Sequence, residues 1–395
     1  MNRGLFNLVN LQSLKNYKRG FLMRITVDRS QFLKSLGRVH RVVERRNTIP
    51  ILSNILIDAG EGSVQLKATD LDLEVTESFV ANVEQAGATT VPAHLLYDIV
   101  RKLPDGGDIV LSADVEQVGT MSITSGCANF RLQCLPKIDF PESLPGQFSC
   151  RFSLPASSLK RLLDCTQFAI SIEETRYYLN GVYFHVIDDG TLKLRLVATD
   201  GHRLAQADME APSGVDGMPG VIIPRKVVGE LQKLLAEEVD AGVCVELSEA
   251  KICFSVGSVV LTSKLIDGTF PEYQRVIPLG NDKKLTVNRQ DFSSAVDRVS
   301  TISSDRGRAV KLIVENGQLR LVVNNPDSGS AEDQLVANYT SDPLEIGFNS
   351  RYLLDIAAQL SGDEMILMLA EAGAPALIRD NGDAEALYVL MPIRV

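Results

Sequence analysis

The apolar positions Leu192, Leu194 and Leu196 alternate with Lys193 and Arg195 and run into Val197-Ala198-Thr199-Asp200-Gly201. Alternation of this kind predicts a strand with one face buried and one wet, ended by a tight Asp-Gly turn. The same phrase occurs twice more. Val64, Leu66 and Ala68 alternate with Gln65 and Lys67 and end at Thr69-Asp70-Leu71, and Leu319, Leu321 and Val323 end at Asn324-Asn325-Pro326-Asp327. Asp70, Asp200 and Asn325 stand 130 (200 − 70) and 125 (325 − 200) residues apart. That period is too long for a solenoid and suits three tandem domains. Only the middle copy continues into Gly201-His202-Arg203-Leu204. The shared part therefore reads as architecture, and the difference marks where function sits.

Helical spacing follows the opening strand of each domain. Phe32, Leu33, Leu36, Val39 and Val43 come after 24–27, Leu159, Leu162, Leu163 and Thr166 after 152–154, and Phe292, Ala295, Val296 and Val299 after 285–287. A second helix follows further strands. It is led in by Val91-Pro92, Ile223-Pro224 and Phe348-Asn349, and carries an acid at the same offset each time, Asp98, Glu230 and Asp355. Proline suits a helix start, with its φ fixed and no amide donor to leave unpaired. Closing strands are expected at 130–134, 260–265 and 387–390. The plan is thus strand-helix-strands written twice per domain, an α+β fold with two helices on one side of antiparallel sheet. Domains are expected at 23–142, 149–272 and 283–395, joined by short proline-containing linkers, 136–146 and 271–282. Residues 1–22 stand outside the repeat, with four basic residues and no acid. They read as a loosely ordered extension without the pattern of a secretory signal.

Composition narrows the chemistry. Of 395 residues 45% are apolar and 23% charged, and no run approaches the roughly 20 apolar residues of a membrane span. Six cysteines form no Cys-x-x-Cys pair, which fits buried, reduced thiols in the cytoplasm. Four histidines lack metal-ligand spacing, so neither a metal nor a cofactor is expected. The net charge of −10 disfavours a nucleic-acid partner until its distribution is considered. Between Asp28 and Arg46 lie six basic residues (Arg29, Lys34, Arg38, Arg41, Arg45, Arg46) against two acids (Asp28, Glu44), about +4 locally. Asp200 beside His202 admits an acid–base reading. No Gly-x-Ser-x-Gly, P-loop or His-Glu-x-x-His motif accompanies it, and two of the three repeats lack that pair.

Taken together, the triplicated plan, Ala198-Thr199-Asp200-Gly201-His202-Arg203-Leu204, Arg176-Tyr177-Tyr178-Leu179-Asn180-Gly181, Thr262-Ser263-Lys264-Leu265 before Phe270-Pro271, and the terminal Met391-Pro392-Ile393-Arg394-Val395 resemble the bacterial DNA polymerase III β subunits, the sliding clamps. The resemblance runs from Met23 to Val395. It implies three clamp-fold domains, each a duplicated β-α-β-β-β unit, in a head-to-tail homodimer with helices lining a hole and sheets outside. Double-stranded DNA would pass through that hole without sequence preference. By the same resemblance the DNA-contacting positions are Arg46, His94, Glu173, Tyr177 and Tyr178, with His94 standing where Arg and Glu173 where Gln is usual. Arg101, Lys102, Arg225, Lys226 and Lys233 are further candidates.

The resemblance also implies a pocket for short peptides of the polymerase III α subunit, the clamp loader and other proteins with a clamp-binding motif. From the middle domain it would draw on Leu179, Thr199, Gly201, His202, Arg203, Leu204, Pro271, Arg275 and Val276. From the last it would draw on Val296, Asn349, Tyr352, Val389, Leu390, Met391, Pro392, Ile393, Arg394 and Val395. Val296 replaces a larger aromatic. On the residues alone, Leu204, Val276, Val389 and Met391 suit an apolar floor, and Arg203, Arg275 and Arg394 suit a peptide's polar groups. The edge strand with Phe130 and Leu132 is the implied dimer contact. Two other readings stay open at this stage: a scaffold without DNA, and a hydrolase using Asp200 and His202.

Overall fold

In the computed structural model, residues 21–114, 119–142, 147–303 and 308–395 are described. The first repeat runs β1 (Phe21–Asp28), α1 (Arg29–Val39), β2 (Asn54–Gly60), β3 (Ser63–Thr69), β4 (Leu73–Val80) and a short β5 (Asn82–Gln85). Its second half is β6 (Gly87–Pro92), α2 (Ala93–Lys102), β7 (Asp108–Asp114), β8 (Thr120–Ser125) and β9 (Ala128–Gln133). The second repeat has β10 (Cys150–Pro155), α3 (Ala156–Gln167), β11 (Gly181–Asp188), β12 (Leu192–Thr199) and β13 (Arg203–Glu210). It continues with β14 (Val221–Pro224), α4 (Arg225–Glu237), β15 (Gly242–Leu247), β16 (Lys251–Val256) and β17 (Val259–Lys264). In the third come β18 (Lys283–Asn288), α5 (Arg289–Ser300), β19 (Ala309–Glu315), β20 (Gln318–Asn325) and β21 (Gly329–Val336). The chain closes with β22 (Leu344–Asn349), α6 (Ser350–Ala357), β23 (Glu364–Leu369), β24 (Ala376–Asp380) and β25 (Ala386–Leu390). The β-α-β-β-β plan is present six times, with β5 the one strand outside it.

Each helix start is set by the residue before it. Asp28, Asn288 and Asn349 cap α1, α5 and α6, their side chains accepting from Gln31, from Gln290 and Asp291, and from Arg351 amides. Pro92, Pro155 and Pro224 occupy the same place before α2, α3 and α4 without a side-chain cap. The prolines thus sit one residue ahead of the first helical turn, where their φ near −60° turns the strand into the helix.

Backbone pairing departs from the single-sheet expectation. The leading strand of each half pairs into the sheet of the other half: β1 with β7 and β6 with β2, β10 with β15 and β14 with β11, β18 with β23 and β22 with β19. Every repeat therefore has two sheets with the helix pair against both. α1 touches α2 and strands β1, β3 and β4, and α3 touches α4 and strands β10 to β13. The halves interlock, so neither buries its apolar face alone.

Contacts divide the chain into two compact units, residues up to 145 with Ser258–Thr262, and the remainder. Within the second unit the second and third repeats are welded by β13 and β25. They pair antiparallel from Arg203↔Leu390 to Ala207↔Ala386, inside a sheet ordered β14-β11-β12-β13-β25-β24-β23-β18. Leu179, Val197, Leu204, Phe270, Tyr273 and Val389 form one buried cluster across this joint.

Several expectations change. The strand expected from residue 24 begins at Phe21, so the end of the 1–22 segment is β1; the rest of that segment lies outside the described residues. The stretch 271–282 does not begin as a free linker, because Tyr273 is 4% exposed in the core. The wet face of β12 is partly covered: Arg195 and Asp208 form a bidentate pair at 2.7 and 2.6 Å, with the carboxylate side chain 6% exposed. Of the six cysteines three are buried, whereas Cys127 is exposed.

The Arg195 guanidinium also donates to Tyr273 Oη (3.2 Å), which donates in turn to His185 Nε2 (3.2 Å), while His185 Nδ1 donates to the Val186 carbonyl (3.3 Å). Burial holds the imidazole neutral and pushes its pKa down to about 4, with the Arg195 charge adding to the effect against the Val186 carbonyl. An unfolded histidine binds its proton near pH 6.5, so as pH falls below that value the unfolded chain gains a proton that the folded one refuses. The contribution is complete above about pH 6.5 and is lost down to about pH 4, a change of up to ~3 kcal/mol. Chemical denaturation followed across this window is expected to show that slope flattened in His185→Gln; an identical slope in the variant refutes the assignment.

Candidate functional site

The repeated Thr-Asp phrase folds as one kind of turn. Asp70 Oδ1 accepts from the amides of Asp72 (3.0 Å) and Leu73 (2.7 Å), Asp200 Oδ1 from those of His202 (2.9 Å) and Arg203 (3.0 Å), and Asn325 Oδ1 from Asp327 (3.0 Å). Thr69 and Thr199 hydroxyls accept from the residue two on. That residue has positive φ, +80° at Leu71 and +88° at Gly201. In the middle repeat glycine removes the side chain, and a Cβ built there lies 2.5 Å from Arg176 Nη1. Asp200 meets His202 through backbone, and its Oδ2 faces Arg203 Nε at 3.1 Å. The carboxylate is spent on the turn and does not orient the imidazole.

Arg203 is the brace of the site. Besides Asp200, its guanidinium donates to Asp355 Oδ2 (2.6 Å) on α6 and to the Phe168 carbonyl (2.6 Å) after α3. It lies 4.3 Å from the Tyr352 ring centroid and 5.0 Å from that of Phe168. With its side chain 9% exposed and all three nitrogens engaged, it holds the second and third repeats together and is not available to a peptide's polar groups. The three equivalent acids thus diverge in use: Asp98 and Glu230 pair with Arg101 and Lys233 on their own helices, and Asp355 reaches the other repeat.

Near this brace lie several of the residues expected in the pocket. Leu179, Leu204 and Val389 are 4%, 2% and 2% exposed in one cluster with Phe270 and Tyr273. Val276 and Met391 are 48% and 39% exposed, so they, and not Leu204 or Val389, offer apolar surface. The tail is pinned twice: the Met391 amide donates to the His202 carbonyl and that of Ile393 to the Gly347 carbonyl, both at 2.9 Å. Gly347 is buried under Ile393 and Val395, which together with Pro392 and Arg394 line a groove of about 680 Å³. Leu390 is fully buried, Thr199 bonds the Arg203 carbonyl, and Asn349 uses its side-chain oxygen to cap α6. Pro271 and Arg275 are exposed, Arg275 paired with Glu272. Val296 is a correction: on α5 it is 0% exposed inside the third repeat, presenting no surface to a ligand.

A second crevice, about 700 Å³, is lined by His202, Arg203, Asn349, Tyr352 and Glu173 together with Phe168, Asp355, Arg225, Arg308 and Arg351. Its acids are already engaged: Glu173 with Arg176, which holds the Glu173 carboxyl below its ordinary range, and Asp200 and Asp355 with Arg203. Arg225, Arg308 and Arg351 have no ion-pair partner among the described residues, so the crevice wall is net positive. Arg308 and Arg351 escaped the sequence reading because nothing local marks them.

The expected DNA-contacting residues fall in two places. Tyr177 (54% exposed) and Tyr178 pack edge to face on the short helix Glu174–Leu179, beside Glu173. In the other unit Arg46 is exposed, and His94 Nε2 donates to the Val43 carbonyl at 2.9 Å. The basic stretch 28–46 is less available than its count implies. Arg29 is bound to Asp105, and Arg38 is buried against Glu77 at 3.1 Å. Lys233 and Arg101 are exposed but paired.

Comparison with known proteins identifies the family and the fold. Family models of the DNA polymerase III beta subunit match along the chain, the N-terminal domain at 23–145, the central domain at 153–272 and the C-terminal domain at 274–394. A beta sliding clamp of Caulobacter vibrioides is 48% identical over 94% of this chain and all of its own length, and that of Escherichia coli K12 is 38% identical with the same coverage. Among solved structures, the sliding clamp of Bartonella birtlesii bound to griselimycin superposes with a TM-score of 0.92 at 81% identity, covering 94% of this chain and 100% of that one. The Caulobacter crescentus clamp gives 0.89 at 48%, with the same coverage.

Removing the brace tests the site's construction. Arg203→Ala is expected to cost about 2–4 kcal/mol, from three lost charge-assisted bonds and the part-buried Asp355 carboxylate left without its partner. Hydrogen exchange at the Met391 amide should accelerate with it, and Arg203→Lys should restore only part of the protection. Unchanged exchange at Met391 in Arg203→Ala contradicts the bracing role.

Proposed function

The chain belongs to the DNA polymerase III beta subunit family, the sliding clamps, and from that premise we propose that two copies close head to tail into a ring threaded by duplex DNA. The observation that carries the reading is a pair of open sheet edges. β9 ends one sheet of the first unit and β21 ends one of the second, with Phe130 37% and Val336 90% exposed on them. Unpaired edges invite strand addition, and antiparallel pairing of β9 with β21 of a second copy covers both at once. The domains of this ring are 23–142, 149–272 and 283–395, their helices turned to the hole.

Inside the hole Arg46, His94, Tyr177 and Tyr178 meet the phosphate backbone, with Glu173 at the same surface neutralised by Arg176 and Arg101, Lys102, Arg225, Lys226 and Lys233 adding to the field. Such contacts are sequence-independent and salt-sensitive, which suits sliding. The pocket around Val276, Met391 and the pinned tail takes short peptides of the polymerase and the clamp loader, tethering them at a cytoplasmic replication site. A five- or six-residue peptide binds on the order of −8 kcal/mol or more weakly, which allows partners to exchange. The protein makes and breaks no bond in this role.

Retention on DNA separates a topological clamp from a scaffold that binds no DNA. Loaded onto nicked circular plasmid, the protein should resist high salt and dissociate once the plasmid is cut to a linear form; equal retention on both forms refutes encirclement. Deleting 391–395 should abolish binding of a polymerase-derived peptide while sedimentation still reports a dimer. A monomer from that deletion would identify the tail as a structural or interface element.

A further inference from the structure

His40 and His94 meet edge to face in the first unit, ring centroids 5.5 Å apart at 86°, and His40 lies flat on Tyr97 at 3.9 Å and 8°. Each imidazole is fixed by a backbone carbonyl: His40 Nδ1 at 2.8 Å from the Leu36 oxygen and His94 Nε2 at 2.9 Å from that of Val43. A carbonyl oxygen only accepts, so those nitrogens carry the hydrogen. The second proton, when it comes, goes to His40 Nε2 or His94 Nδ1. Imidazole is the side chain whose charge ordinarily changes between about pH 5 and 8.

The surrounding charges are mostly matched. α1 carries Arg38 against Glu77 of β4, β3 carries Lys67 against Glu74 of β4, and α2 carries Asp98 against Arg101, whose guanidinium also lies 5.8 Å from the Tyr97 ring centroid. Arg41 adjoins His40, and Glu44, Arg45 and Arg46 follow, exposed. Burial lowers the His40 pKa, with His94 and Arg41 adding to the effect against the raising influence of the Leu36 carbonyl. The first charge is therefore kept off the inner ring, and repulsion between the two discourages a second.

We propose that His94 is a proton-gated contact to a backbone phosphate of the duplex, with His40 and Tyr97 as positioning residues that aim its ring and keep the pair from carrying two charges. The proposal rests on the reading that Arg46 and His94 face DNA. A fixed arginine attracts phosphate at every pH, whereas an imidazole at the same place makes the grip depend on proton concentration.

Binding of a short labelled duplex to the full-length protein, measured by fluorescence anisotropy against salt at about pH 6 and about pH 8, tests it. Wild type is expected to bind about two- to tenfold tighter at the lower pH, with the slope of log affinity against log salt steeper by about one. His94→Gln should show the same affinity at both pH values, and His94→Lys should bind at the higher pH as wild type does at the lower. His40→Phe, which keeps a ring on Tyr97, should leave the pH difference in place, since the first charge already stays off the inner ring. His202→Gln should retain the difference, which excludes the exposed imidazole of the second unit as its source. Arg46→Ala should weaken binding at both pH values and preserve their ratio.

Wild type without a pH difference, or His94→Gln that keeps it, overturns the proposal while leaving the DNA-facing reading intact, provided that Arg46→Ala still weakens binding. If Arg46→Ala and the His94 variants all bind as wild type does, the DNA-facing reading fails and the proposal with it.

Discussion

The pairing of β13 with β25 governs the second unit. It makes one eight-stranded sheet out of strands from two repeats that lie nearly two hundred residues apart in the chain. Side chains alternate across a sheet, so the register Leu204↔Val389 determines which residues enter the shared core; a slip of one position would drive Arg203 inward and Leu204 out. The register also fixes two chain ends of consequence. β13 starts at the Thr199–Arg203 turn and β25 stops at Leu390, so the one turn that carries Gly-His-Arg and the C-terminal tail are placed side by side. The proposed peptide pocket would be a by-product of where this pairing begins.

Much of this architecture was legible because it is written in local periodicity. Alternation at Leu192, Leu194 and Leu196, the recurring Thr-Asp, and proline or asparagine ahead of the second helices all act within a few residues, and the strands, turns and helix starts follow them. The exchange of leading strands between halves was not legible. β1 pairs with β7 across more than eighty residues, and no local pattern distinguishes that from pairing with a nearer strand.

Site residues divide the same way. The turn at Asp200–Arg203 was visible as a motif, and its glycine as a place for close approach. The fate of Arg203 was not, because its partners Phe168 and Asp355 lie 35 and 152 residues away. Counting Arg29 and Arg38 toward a DNA-facing surface failed for the same reason: Asp105 and Glu77 that neutralise them come from distant elements. Val296 shows the converse limit. Family position alone put it in the pocket, and burial on α5 takes it out. An apolar residue in a helix is ambiguous between core and surface until the helix's neighbours are known.

Electrostatics in this chain therefore works by subtraction. Arginines that stabilise the fold, Arg38, Arg195 and Arg203, are matched with carboxylates, Arg203 with two, and withdrawn from solvent, and they contribute little field at a distance. What remains for phosphate is a sparse set, Arg46 in one unit and Arg225, Arg308 and Arg351 along the crevice of the other. Counterion release scales with the number of phosphates neutralised, so a few unmatched guanidinium groups give weak binding with a correspondingly shallow dependence on salt. In the proposed ring, held on DNA by closure, a stronger grip would add friction without adding lifetime. The chain's net charge of −10 fits that proposal, in which attraction for the duplex is local and the bulk of the surface has none.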